Sequence, residues 1–153
     1  MIGPLHPYDI GALLHRHHVG RLACLADGRP YVVPISYVYA GGLIYGYAQP
    51  GRKLSALRSD PRVCFEVDEQ EDATTWRSVV ADGTFEEVTD PVERKVALSL
   101  LAESAPPMVA PSAGAPGVVF RLRLTGASGR FARRAPTPPA APRLAATESL
   151  AMA

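Results

Sequence analysis

Apolar residues recur along this chain at two periods, and the switches between them mark out its elements. Ile10, Leu13, Leu14 and His17 stand at i, i+3, i+4 and i+7, one face of a short helix that Asp9 is placed to cap. From Val19 the texture becomes that of strands. Residues 19–26, 30–39 and 43–48 predict three of them, joined through Asp27-Gly28 and Gly41-Gly42, dipeptides that supply the positive φ of tight hairpin turns. Connections this short make an antiparallel meander rather than a βαβ repeat. Pro50-Gly51 then breaks the chain, and Leu54, Leu57 and Arg58 carry a short helical register up to Asp60-Pro61, where proline forbids continuation.

Further on, Val63, Phe65 and Val67 alternate with polar residues in a fourth strand over 63–68. Residues 76–88 predict a long fifth strand with a bulge or turn at Asp82-Gly83. Asp90-Pro91-Val92-Glu93 combines an N-cap acid, proline at the first helical position and glutamate at the third. Val92, Val96 and Leu100 line one face of that helix, with Ala97 and Leu101 beside them. A Pro/Ala/Gly-rich loop over 105–117 leads to a sixth strand, 118–125, in which Val118, Phe120, Leu122 and Leu124 share a face. The expected fold is mainly β with a few helices: six antiparallel strands curled into a small barrel, a closure that removes exposed edges. The barrel domain is placed at 1–126. Residues 127–153, rich in Ala, Pro and Arg and poor in large apolar side chains, predict a flexible tail.

Composition narrows the classes. Lys and Arg number 16 against 15 Asp and Glu, a net charge of +1, so no global field points to nucleic acid or membrane. The apolar runs fall short of a membrane span and Met1-Ile2-Gly3-Pro4 lacks a signal-peptide pattern, which makes a cytoplasmic protein the expectation. Cys24 and Cys64 form no CxxC. A single disulfide is open to them, as are two reduced core thiols. The stretch 31–39 is apolar on more than one face, and the surplus face predicts a second subunit.

The most informative chemistry is Gly51-Arg52-Lys53, two cations where a strand runs into a helix. Free N–H groups at a helix start favour an anion, and Arg52 and Lys53 add donors where a phosphate would sit. Taken alone, the tripeptide reads better as a solvated basic turn, and its neighbourhood is what favours the anion site. Tyr31, Tyr37, Tyr39, Tyr45 and Tyr47 fit core packing as well as a ligand wall. Trp76 reads first as a packing anchor, and Ser36 and Ser78 as hydroxyls satisfying strand ends. His15 and His18 share a helical face, but no carboxylate or cysteine completes a metal set, and none is expected.

In order and spacing, several motifs resemble the pyridoxamine 5′-phosphate oxidase-like FMN-binding split barrels, in particular their small nitroimidazole-resistance-type branch. They are Val19-Gly20-Arg21-Leu22-Ala23, Val33-Pro34-Ile35-Ser36-Tyr37-Val38-Tyr39, Gly51-Arg52-Lys53, Pro61-Arg62-Val63-Cys64-Phe65-Glu66-Val67-Asp68 and Ser78-Val79-Val80-Ala81-Asp82-Gly83. The resemblance implies a homodimer with FMN in the grooves between subunits. It implies that Arg52 and Lys53 hold the FMN phosphate and that Val33, Pro34, Ile35, Ser36 and Tyr37 run along the isoalloxazine. Tyr47 and Ala48 would flank the ribityl chain, and Trp76 and Ser78 would reach the flavin, often from the other subunit. Tyr47 stands where many relatives carry histidine, and Gly129-Arg130-Phe131-Ala132-Arg133-Arg134 does not reproduce the substrate-phosphate grip of the vitamin B6 oxidases.

The function implied is a flavin-dependent oxidoreductase acting on a small organic acceptor. No residue stands out as a general acid or nucleophile. Two alternatives stay open: a reductase of the same fold using a deazaflavin coenzyme, and a non-catalytic flavin- or haem-binding protein. All four histidines fall in the N-terminal segment, away from the groove a haem would need.

Overall fold

The computed structural model describes residues 1–104 and 117–136. An antiparallel sheet curls around the main apolar core, with three helices packed on it and a smaller apolar cluster of Val88, Ala97 and Val119. In chain order the elements are β1 (Ile2–Pro4), α1 (Pro7–Arg16), β2 (Val19–Ala26), β3 (Arg29–Ser36), β4 (Val38–Ala40), β5 (Leu43–Ala48), α2 (Arg52–Ser59), β6 (Arg62–Gln70), β7 (Trp76–Glu87), α3 (Pro91–Ser104) and β8 (Val118–Ala132). The strands lie in the order β3-β2-β6-β7-β8-β5-β4, with β1 added to β8. This is the split-barrel arrangement, with two more strands than the sequence pattern predicts.

Both hairpins form at the predicted dipeptides: Asp27 and Gly28 have φ of 52° and 73°, Gly41 and Gly42 of 59° and 77°. The register of β7 on β8 shifts between Asp82 and Gly83, the predicted bulge. Inside the curl, Leu22, Phe65, Val67, Val79, Ile44, Phe120 and Leu122 meet Leu13 and Leu14 of α1 and Leu54 and Leu57 of α2. Each such side chain, fully buried, contributes about 1.5–3 kcal/mol. Two of the rings lie on bare backbone. A Cβ at Gly20 would stand 2.3 Å from the Phe65 ring, and one at Gly46 2.4 Å from that of Phe120, its cross-strand partner.

Four expectations need correction. The predicted strand 30–39 is two strands, because the chain leaves β2 at Tyr37 and continues as β4 against β5. Tyr37 marks that crossing, its N–H donating to the His18 carbonyl. The cap of α1 is His6, whose Nδ1 accepts from the Tyr8 N–H, with Asp9 inside the first turn. The last strand runs to Ala132 rather than 125, so the first residues of the predicted tail are sheet. Their small side chains hide this from an apolar count, yet the backbone from Ala127 to Ala132 pairs with β7, and Leu5 and Ile10 cover Gly129. Finally, α3 turns Ala97 inward with Leu98 packed beside it, and leaves Val92 71% and Val96 54% exposed.

Cys24 faces the interior and Cys64 the outside, on neighbouring strands, and both are free thiols. No helix among the described residues is long and apolar enough to cross a membrane. The predicted loop at 105–116 and the remainder of the predicted tail, 137–153, lie outside the described residues.

Ending the chain after Gly126 tests the corrected boundary. It removes six paired residues of β8, whose ladder hydrogen bonds alone contribute on the order of 3 kcal/mol at about 0.5 kcal/mol each. Urea unfolding should show a loss of at least that size; an unchanged midpoint would return these residues to a dispensable tail.

A cation pair and a cleft at the head of the second helix

Helix α2 begins unusually bare. Its N-cap, Gly51, offers no side-chain hydrogen bond, and the first turn contains no acid. The helix positive end therefore has nothing of opposite sign from its own sequence. At the other end the same helix is fully paired: Arg58 bonds Glu87 at 2.5 Å, and Asp60 binds Arg62 at 2.7 Å. Arg52 and Lys53 form no salt bridge among the described residues, whereas Arg16, Arg21, Arg77, Arg121 and Arg123 all do.

The groups in direct contact with the two cations are uncharged. The Arg52 guanidinium sits over the Tyr31 ring, 4.7 Å from its centroid, a cation–π contact that fixes the group without neutralising it. Burial pushes the Lys53 ammonium down from its ordinary value, and Cys24 acts weakly in the other direction. Burial also raises the Cys24 thiol, with Asp60 adding to the effect and Lys53 opposing it. A partly buried ammonium without a counter-ion is unfavourable on its own. An anion arriving there would gain a charge-assisted bond and relieve the lysine.

Beside the pair lies a cleft of about 330 Å³, lined by Arg52, Ser55, Ala56 and Ser59 of α2, by Asp60, and by the turn from Leu25 to Gly28. Sequence reading assigned Asp27-Gly28 only a turn and passed over Ser55 and Ser59. The signal was present: residues 52, 55 and 59 are spaced three and four apart, so they share one helix face.

The remaining predicted site residues separate into three groups. Ile35, Tyr37 and Ala48 are core residues, 4%, 0% and 0% exposed, with Val33 packed beside them. Tyr37 donates to the Leu14 carbonyl at 2.7 Å and meets Phe65 edge-on, and burial raises its phenol well above the ordinary value. Tyr47 faces α3 with Val88, Ala97 and Val119, and its ring occupies the space a Cβ on Gly117 would need. Pro34, Ser36, Trp76 and Ser78 take the outward positions of β3 and β7. They lie toward the opposite end of the sheet from α2, because Ser36 pairs with Val19 while the cleft meets β2 at Ala26. Seven residues of strand separate those levels, about 23 Å.

Three of the four histidines, His6, His17 and His18, are engaged in structure. His17 and Arg16 close α1 onto Glu69, which Arg77 also grips. Burial alone would raise the Glu69 carboxyl, but hydrogen bonds from His17, Arg77 and Arg16 outweigh it and hold it at about 2. His18 Nδ1 lies 3.3 Å from the Tyr37 carbonyl.

A family model of pyridoxamine 5′-phosphate oxidase matches residues 8–131, most of the chain. The chain belongs to the pyridoxamine 5′-phosphate oxidase family. A crystal structure of an FAD-binding protein from Mesorhizobium loti is 36% identical, covers 87% of this chain and 99% of that one, and superposes with a TM-score of 0.77. A candidate 5-nitroimidazole antibiotic resistance protein from Bacteroides thetaiotaomicron shares the fold at 18% identity and a TM-score of 0.70, over 86% of this chain and 87% of that one. An uncharacterized protein of Rhizobium meliloti is 39% identical over 70 residues. That match spans 46% of this chain and 46% of the curated relative, about half the length of each.

The assignment of Tyr37 to the core makes a direct forecast. Tyr37→Phe leaves the Leu14 carbonyl without its donor and should cost about 1–3 kcal/mol of stability in a urea titration. An unaltered midpoint would show that water replaces the phenol and that the ring alone matters.

Proposed function

We propose that this protein binds a flavin nucleotide through Arg52 and Lys53 and acts as a small flavin-dependent oxidoreductase. The observation that carries the reading is the pair of unpaired cations at an uncapped helix start. The donor set fits a phosphate: a planar guanidinium held on Tyr31, a partly buried ammonium, and free backbone N–H groups. Family membership supports it, as does the FAD-binding relative at 36% identity. FMN is the smallest flavin that carries the phosphate this anchor needs.

The flavin, when bound, supplies the redox chemistry, accepting and passing on hydride or electrons. The chain's own residues bind and orient it. Arg52 and Lys53 fix the phosphate, and the outward row of Pro34 and Ser36, at the level of Trp76 and Ser78, offers a surface for the ring held by the partner copy's anchor. Trp76 and Ser78 lie too far from Arg52 within one chain to join the same small ligand. A second copy resolves this, because the outer face of the sheet leaves apolar side chains on β3, β7 and β2 open beside the Arg21–Glu66 pair. Val32 is 62%, Val80 42% and Leu25 38% exposed on that face. The proposed protein is thus a homodimer in which each flavin is held by Arg52 and Lys53 of one chain and Trp76 and Ser78 of the other, with a small molecule as substrate. A homodimer of this kind should bury on the order of 2,000 Å². Sedimentation at micromolar concentration should give the dimer mass; a stable monomer that binds flavin would remove the shared site.

Lys53→Ala tests the anchor. It should weaken FMN by about 1.5–3 kcal/mol, roughly tenfold to a hundredfold, and leave riboflavin almost unaffected. Flavin fluorescence titrations of both ligands decide it. Equal losses would make Lys53 structural, and a wild type that binds neither ligand would sink the flavin reading.

A further inference from the structure

The cleft beside α2 presents two opposite charges that the fold keeps apart. Arg52 lines it from the first turn of the helix and Asp27 from the turn between β2 and β3. They form no salt bridge with each other, and among the described residues neither has an ion pair elsewhere. Each is nonetheless held in place. The Arg52 guanidinium rests on the Tyr31 ring, and Asp27 stands on a hairpin turn with φ of 52° at Asp27 and 73° at Gly28. Asp60, the other acid of the cleft, is taken up by the side chain and the N–H of Arg62. The remaining walls are apolar at Leu25, Ala26 and Ala56, with the hydroxyls of Ser55 and Ser59 among them. The volume of about 330 Å³ falls in the range of small-molecule sites, about 300–1,000 Å³. Lys53 does not line this space, so the cleft shares only Arg52 with the phosphate anchor.

An acid and a base held apart in one cleft set both the charges and the length of a third body. A simple carboxylate would satisfy Arg52 and be repelled by Asp27. A simple amine would satisfy Asp27 and be repelled by Arg52. An α-amino acid carries its two charges on one carbon, too close together to reach groups that lie beyond ion-pair distance of each other. A carboxylate and an ammonium joined by a short methylene chain answer every part of the lining. The charged ends gain charge-assisted hydrogen bonds, and the methylenes lie on the apolar walls. We propose that the cleft is a binding site for an ω-amino carboxylate, its carboxylate on Arg52 and its ammonium on Asp27. The site stands apart from the flavin reading, because it requires neither Lys53 nor a bound phosphate.

Isothermal titration at low ionic strength tests this, since exposed charges are then least screened. The probes are γ-aminobutyrate, δ-aminovalerate and ε-aminocaproate, with caproate and hexylamine as single-charge controls. The proteins are wild type, Asp27→Asn and Ser55→Trp. Asparagine keeps the left-handed turn conformation, so the first variant should retain its melting temperature. Ser55 is exposed, so an indole there should fill the cleft without disturbing the core. At least one amino acid of the series should bind wild type about tenfold or more tightly than either control. Asp27→Asn should remove that advantage, and Ser55→Trp should abolish binding of the whole series. The proposal is overturned if no member of the series binds wild type better than caproate and hexylamine. It is equally overturned if a folded Asp27→Asn or Ser55→Trp protein keeps the preference. Caproate binding as tightly as ε-aminocaproate would show that the cations alone hold the ligand and that Asp27 has no part in it.

Discussion

The pairing of β7 with β8 is the constraint on which the rest of the molecule hangs. These two strands run side by side from Trp76–Ala132 to Glu87–Phe120, and every other strand joins the sheet through one of them. The register shift at Asp82/Gly83 lets so long a ladder bend, because an extra residue on one strand increases the local twist. A Cβ at Gly83 would lie 2.7 Å from the Arg123 carbonyl oxygen, so the bend needs glycine at that point. Below the bulge β8 carries β5 and through it β4; above it β8 carries β1. The curl leaves β3 as an edge strand, where Pro30 and Pro34, which have no N–H to donate, cost little.

Within that frame the distribution of charge distinguishes structure from site. The outer surface is stitched by ion pairs such as Arg21 with Glu66, Arg121 with Glu86 and Glu93, and Glu69 with three partners. Pairs this exposed contribute little stability individually. Arg52 and Lys53 occupy the start of a helix, where their charge adds to the positive end of the dipole instead of opposing it. Folding alone offers no reason for that placement. An anionic ligand does.

The sequence made the fold legible where backbone chemistry is local. Asp27-Gly28, Gly41-Gly42 and Asp82-Gly83 each announced a turn or bulge, and alternation announced the strands between them. It failed where tertiary pairing overrides composition. Residues 127–129 are Ala, Ser and Gly, a tail by apolar content, yet the backbone of β7 holds them and Leu5 and Ile10 cover Gly129. The stripe of Val92 and Val96 looked like a buried face, but burial went to Ala97. Of the candidate site, the cations were visible because helix-start chemistry is local. The cleft joins α2 to a turn more than twenty residues earlier, and the resemblance placed Tyr37 and Ala48 near a flavin although the sheet's alternation turns them into the core.

The central claim is that the two unpaired cations exist to hold the phosphate of a flavin. The most direct measurement is the absorption spectrum of the protein as purified, followed by chromatography of the chromophore released on heating. The account predicts the oxidised-flavin spectrum and a released flavin that shifts its retention after phosphatase or phosphodiesterase treatment. A colourless protein that takes up no phosphorylated flavin on incubation, or one that carries haem or a deazaflavin, would contradict it.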